Sequence, residues 1–599
     1  MGNRKLKKRN ETDPAFKWKI EEMYADDTAW NSDIDKVLSM AEGFDKYQGR
    51  LTENAKTLAA AFRDKDEIWQ KLERAYVYAQ MKLDEDRTLA ASQARADKVS
   101  SVIAKVEASL SFFTPEVLGA SSETLMKYVD EEPSLMQYRF IIKDLLRRKE
   151  HVLSDAEEKI LAQINEVTDA PDSIFSMLND ADMKFGTVTD EDGDEVTLTH
   201  GNYISLMESG DRRVREDAYH NMYSSYKSLI NTISTAYSYN VKTDVVGARI
   251  RKYDSARAAA LFSGNISEEV YDNLIDVVHE YLPVMHRYMK LRKRILGVEE
   301  LKMHDIYVPL VDIPKKTIPF EEAINIMEKA LAPLGKEYTE QAVSGAKSGW
   351  IDVYENEGKR SGAYSFGSYD SYPYILLNYS DTLKDVFTLV HEMGHSMHSY
   401  YTRKTQPFTY GSHSIFTAEV ASTVNESLLM QYLIDNEADL QMKKYLINYH
   451  IEEFRTTLFR QTMFAEFEQL AHQHVAEGGS LTAEWLCGTY SRLNSLYHGP
   501  ALTEDEYIKY EWARIPHFYR SFYVYQYATG YSAAAAISSK ILNEGDTARD
   551  AYLKFLTTGD SDYPVELLRI AGVDMSRKEP VIAAMETFKN LVEELEELL

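Results

Sequence analysis

Residues 383–401 read LKDVFTLVHEMGHSMHSYY, and the pentad His391-Glu392-Met393-Gly394-His395 within them decides how the rest of the chain is read. Thr382 and Asp385 have capping-box spacing. Val386, Phe387, Val390, Met393 and Met397 form an apolar stripe, so the segment is predicted to be a half-buried helix. Residues four apart on a helix lie one above the other, which lets His391 and His395 present two imidazole nitrogens to one metal ion. Glu392 is offset by about 100° from His391. That places its carboxylate beside the metal, where it can take a proton from the attacking water without ligating the ion.

With fifteen histidines in 599 residues, a chance match to this pentad has a probability on the order of a few per cent, so a second element must support it. Residues 415–435, IFTAEVASTVNESLLMQYLID, supply one. Glu419, Ser422 and Glu426 share a helix face, and Ala418 and Ala421 are small enough for close helix packing. Glu419 completes a His2Glu set for one zinc ion (Zn2+) and leaves a fourth position open. Glu426 reads either as an acceptor for the free N–H of a ligating histidine or as a solvated charge. His398 lies too far along the axis to share the ion and is expected to be a hydrogen-bonded histidine. An H-E-x-x-H-x-x-G-x-x-H continuation is excluded, because His398 and Tyr401 occupy its glycine and last histidine positions.

HEMGHSMHSYY followed by FTAEVASTVNE resembles the thimet-type oligopeptidases, and most closely their bacterial oligoendopeptidase F branch. Residues 18–24 (WKIEEMY), 362–379 (GAYSFGSYDSYPYILLNY) and 515–531 (IPHFYRSFYVYQYATGY) agree with it, so the resemblance spans nearly the whole chain. It implies a zinc endopeptidase that admits short unstructured oligopeptides and excludes folded proteins. It also implies that a histidine and two tyrosines donate to the tetrahedral oxyanion, and these map to His517, Tyr523 and Tyr531. The spacing departs from the thimet pattern by one or two residues, which leaves Tyr525 and Tyr527 as alternatives.

The remaining sequence sets the frame. Helical spacing over 29–83, 89–110 and 154–162 is interrupted by turn signals such as Thr114-Pro115 and Glu132-Pro133. Residues 185–189 and 195–199 alternate around Asp192-Gly193 as a β-hairpin. Its acidic tip fails as a calcium loop, since Gly193 falls at position four and Gly201 replaces the glutamate of position twelve. Short strands are expected at 350–354, 362–366 and 374–379, and an exposed edge there would pair with an extended peptide or be purely structural. Together these predict a mainly α fold: two helical lobes enclosing a deep substrate channel, with a small sheet beside the zinc-binding helices. The expected division is an N-terminal lobe, 1–200, and a catalytic domain, 201–599.

Composition narrows the class. A chain that is 44% hydrophobic can bury a large core. The single cysteine, Cys487, excludes an internal disulfide framework and suits a reducing cytoplasm, where a small buried residue is its expected role. The basic N-terminus lacks the apolar run of a secretory signal, and no run of eighteen apolar residues suggests a membrane span. A formal charge of −27 argues for solubility and against a nucleic-acid partner, and favours cationic peptides by long-range attraction. Two rival readings stay open: a dipeptidyl carboxypeptidase using Arg514 or Arg520 to receive a terminal carboxylate, and a non-catalytic zinc protein. The second leaves Glu392 without a purpose.

Overall fold

The helical pattern of residues 29–83 breaks once, and two residues explain where. Gly49 takes a φ of +74°, a conformation that costs glycine little. Asn54 then caps the next helix by accepting the Thr57 N–H at 3.0 Å. The products are helices Asp27–Glu42 and Ala55–Glu85, followed by Ala90–Leu110. The computed structural model describes residues 6–311 and 316–599 and is 72% helical with two small sheets, the mainly α class expected.

The chain forms two compact units, each assembled from separated stretches. One comprises Met1–Glu150, Lys316–Tyr432 and Ile537–Gly572; the other comprises His151–Lys315, Leu433–Ala536 and Val573–Leu599. Residue 200, at the boundary set from the sequence, lies inside the second unit. The hairpin is there too, with β1 (Thr187–Thr189) antiparallel to β2 (Glu195–Thr197) and Val188 opposite Val196. Its acidic tip serves its own backbone, as Asp190 Oδ1 accepts the N–H groups of Asp192 and Asp194 at 3.0 and 2.9 Å.

In the first unit, one apolar cluster joins Trp30, Leu58, Phe62, Leu72 and Val106 from the N-terminal helices to Tyr374 and Leu376 of a three-stranded sheet. Its strands are β3 (Ile351–Asp352), β4 (Tyr364–Phe366) and β5 (Tyr374–Leu376), in the order β3-β5-β4. β3 runs parallel and β4 antiparallel to β5, so β4 is an edge. Each strand is shorter than its expected span. Beyond Leu376 the N–H groups of Leu377 and Tyr379 still reach the carbonyls of Asp352 and Val353 at 2.8 and 3.0 Å, while the Asn378 side chain donates to the carbonyls of Arg360 and Gly362. Four helices carry the chemistry below: α1 (Leu383–Thr405), α2 (Ile415–Asn436), α3 (Arg460–Ala476) and α4 (Tyr525–Glu544).

The sheet is tied to the N-terminus by a buried ion cluster. Asp352, 1% exposed, lies 2.7 Å from Lys359 Nζ and 2.5 Å from Arg9 Nη2. Burial alone would raise its pKa, but Lys359 and Arg9 hold it below the usual carboxylate range. Removing one partner of such a cluster strands the others, typically at about 3–5 kcal/mol. Asp352→Ala is therefore expected to lower the thermal unfolding midpoint markedly, as measured by calorimetry, and an unchanged midpoint would show that the cluster contributes little.

Candidate metal centre

α1 begins with the predicted capping box. Thr382 Oγ1 accepts the Asp385 N–H at 3.2 Å, and the Asp385 carboxylate accepts the Thr382 N–H at 2.9 Å. Val386, Phe387, Val390, Met393 and Met397 are all buried, which fixes the rotation of the helix and leaves His391 and His395 on its partly exposed side. α2 starts at Ser414, whose carbonyl accepts the N–H groups of Thr417 and Ala418. The Asp560 carboxylate anchors that start by accepting the Ser414 N–H at 2.7 Å and the Ser412 hydroxyl at 3.0 Å. A negative charge at a helix N-terminus is favourable.

The two helices touch at Gly394. A Cβ there would lie 2.6 Å from Ser422 Cα and 2.7 Å from the Ala421 carbonyl oxygen, so only glycine fits. Asn425 strengthens the crossing by donating to the Val390 carbonyl at 3.3 Å while accepting from Tyr338 at 3.0 Å.

The crossing brings three ligand atoms together. His391 Nε2 and His395 Nε2 are 3.2 Å apart, and Glu419 Oε2 is 3.6 Å from each. Tetrahedral zinc with bonds of about 2.0–2.1 Å needs its ligand atoms about 3.3 Å apart, so both the donor set and its spacing fit. The remaining histidine nitrogens are occupied. His391 Nδ1 is 3.2 Å from Glu426 Oε2, and the Ala418 carbonyl faces His395 as an acceptor. Glu426 is thus the histidine partner and not a solvated charge.

The electrostatics follow from these contacts. Burial lowers the pKa of His391, but the hydrogen bond and charge of Glu426, with Glu392 and Glu419, reverse that and raise it to about 9. Burial and the neighbouring charge of His391 push His395 down to about 4. Two imidazoles this close cannot both be charged, and Glu426 decides which one is. Glu392 is 8% exposed, and burial raises it to about 7 against the opposing charge of His391 and a backbone hydrogen bond from Ser365. Ser365 belongs to edge strand β4, and its hydroxyl meets Ser396 of α1 at 2.8 Å.

His398 takes no part in the ligand triangle; it stacks on His413 with ring centroids 3.6 Å apart, and its Nδ1 has no hydrogen-bond partner. Burial holds both rings neutral, with His413 near 3. Cys487 is buried and its thiol pKa is raised by burial, as suits a packing role.

The tyrosine segment lies in the other unit. His517 Nε2 is 3.3 Å from the Tyr527 hydroxyl, and the Tyr523 ring sits 6.0 Å from His517 and 5.5 Å from Tyr527. Tyr531 is 9% exposed and edge-on to Phe454 at 4.9 Å. Tyr525 is interior, packed on Tyr271 at 5.1 Å. Arg514 is committed to Glu511 at 3.8 Å and to the ring of Tyr203, whereas Arg520 is exposed and close enough to His517 to help lower its pKa.

Residues 205–587 match the family described as Peptidase family M3, and residues 116–185 match Oligopeptidase F. The chain belongs to peptidase family M3. Among M3 relatives, Oligopeptidase PepF of Bacillus subtilis is 45% identical over 99% of this chain and 89% of its own length. An oligoendopeptidase F homolog of Lactococcus lactis is 42% identical over 99% of both chains. The crystal structure of oligoendopeptidase-F from Enterococcus faecium superposes with a TM-score of 0.74 at 39% identity, covering 96% of this chain and 99% of that one. Around the triangle, the residues that sequence spacing could not rank are Glu426, Asn425 and Ser365, each of which makes its contact between separate elements.

Gly394→Ala should force α1 and α2 apart, at a typical overpacking cost of about 1–3 kcal/mol. Metal affinity, measured by competition with a chromogenic chelator, is expected to fall with it; parental affinity would mean that the crossing does not set the ligand spacing.

Proposed function

We propose that this M3 peptidase is a zinc-dependent endopeptidase that hydrolyses short unstructured oligopeptides. The observation that carries the reading is the His391, His395 and Glu419 triangle with a buried carboxyl, Glu392, on the same helix beside it. Zinc held by the three would supply Lewis acidity toward water and the scissile carbonyl. Glu392 takes the proton of the attacking water and returns it to the leaving amine, a role suited to a carboxyl whose pKa burial has raised to about 7. Glu426 keeps His391 turned so that Nε2 faces the other ligands.

His517 and the tyrosine hydroxyls supply donors for the oxyanion. Of the candidate tyrosines, Tyr523 and Tyr527 share the His517 cluster, which supports Tyr523 and sets Tyr527 beside Tyr531 as a candidate for the second hydroxyl. Edge strand β4 is the element we assign to main-chain pairing with extended peptide. The lone cysteine fits a cytoplasmic setting, and no helix among the described residues is long and apolar enough to cross a membrane. Exposed Arg520 beside His517 is the observation that keeps the dipeptidyl carboxypeptidase reading in play. Mass spectrometry of digests of a C-terminally amidated peptide separates the two: internal cleavage persists for an endopeptidase and disappears for an enzyme that needs the free carboxylate.

Glu392→Gln should keep stoichiometric zinc by elemental analysis while losing about 10²- to 10⁴-fold in turnover. Near-parental turnover would remove Glu392 from the mechanism. Phe variants at 523, 527 and 531 rank the oxyanion donors: loss of a true donor lowers kcat by about 10²- to 10³-fold. A loss of kcat is expected at 523 and 527, which share the His517 cluster. Parental kcat in both the 523 and 527 variants would remove that cluster from the oxyanion site.

A further inference from the structure

Between the turn Pro516–Tyr519 and the start of α4 at Tyr525, the chain reverses on a residue poorly suited to the task. Phe522 has a φ of +58°, in the left-handed region where Cβ crowds the backbone and where bulky residues are rare. Such a residue persists only where its surroundings over-determine it. Here they do. The Phe522 ring is 4% exposed, 4.5 Å from the His472 ring and 6.0 Å from that of Tyr271. Ser521 Oγ donates to Asp244 Oδ2 at 2.6 Å, and that oxygen also lies 3.2 Å from His472 Nε2. The Phe522 N–H donates at 2.8 Å to Oε1 of Glu468 on α3.

Glu468 is fully buried, and its other oxygen has no hydrogen-bond partner. Burial pushes its pKa well above the usual carboxylate range. A carboxyl in such a place costs stability that an apolar side chain of the same size would not. Its contact is informative for that reason. The turn it holds leads directly into the site: Gln526 N–H bonds the Tyr523 carbonyl at 3.1 Å and Tyr527 N–H bonds that of Val524 at 3.2 Å, so the conformation at Phe522 sets where α4 begins.

We infer that Glu468 is a positioning residue: by accepting the Phe522 N–H it holds the left-handed turn that sets Tyr523 and Tyr527 against His517. The inference rests on the reading that those hydroxyls serve the oxyanion. Relaxation of Phe522 to negative φ would redirect Tyr523 and the first turn of α4, and a misplacement of about 1 Å at a reacting group costs up to about 10²-fold in rate.

The test compares E468M, E468D and E468Q in the parental chain and in a Y523F/Y527F background, with kcat, KM, zinc content and thermal midpoint measured for each. E468M removes the acceptor. E468D keeps the group but withdraws it by one methylene, and so decides the matter if E468M fails to fold. Both are expected to lower kcat by about 10²-fold with KM and zinc content retained. E468Q, whose amide oxygen accepts the same N–H, is expected to restore it. In the Y523F/Y527F background the E468D penalty should largely vanish, because the two act through one contact. Parental kcat in a folded E468D, or an undiminished penalty in the Y523F/Y527F background, would overturn the inference while leaving the oxyanion reading intact. Parental kcat in Y523F/Y527F itself would sink the oxyanion reading and the inference with it.

Discussion

The close crossing of α1 and α2 at Gly394 is the constraint on which the site depends. Two histidines one turn apart are a common accident of helical sequence, and they define a metal centre only when a third donor arrives at bonding range. Glu419 arrives because Gly394 lets the backbone of α2 lie where a methyl group would otherwise be. The rest of the local structure secures that approach. Asn425 ties α2 to the Val390 carbonyl, and Asp560, from a stretch far along the chain, fixes the residue on which α2 starts. The apolar stripe of α1 prevents the helix from rotating its histidines away.

That geometry creates an electrostatic problem and part of its solution. Two imidazole nitrogens 3.2 Å apart repel when protonated, and three carboxyls, Glu392, Glu419 and Glu426, stand around them. Glu426 resolves the first conflict by drawing the proton and charge to His391, leaving His395 neutral. Glu392 resolves part of the second by burial, which favours its protonated form.

Much of this was legible in residue order because the decisive information is local. The capping box at Thr382, the apolar stripe and the four-residue histidine spacing all lie within a few turns, and Glu419 could be placed because α2 has its own helical face. The hairpin around Asp192-Gly193 was legible for the same reason. What escaped depends on contacts between distant segments. His413 comes from the loop before α2 and stacks on His398, a contact that residue order does not announce. Tyr527 and Tyr531 lie one turn apart on the same helix, and spacing alone cannot say which meets His517 and which meets Phe454. Glu468 carries no motif at all; its meaning comes from a left-handed φ fifty-four residues later in the chain.

X-ray absorption at the zinc edge of the purified, metal-loaded protein tests the central claim most directly, because it reads the ligands without relying on activity. The account predicts a four-coordinate centre with two imidazoles and the remaining positions filled by oxygen, as His391, His395 and Glu419 require. A third imidazole, drawn from the neighbouring His398 and His413 pair, or a sulfur donor, would contradict it.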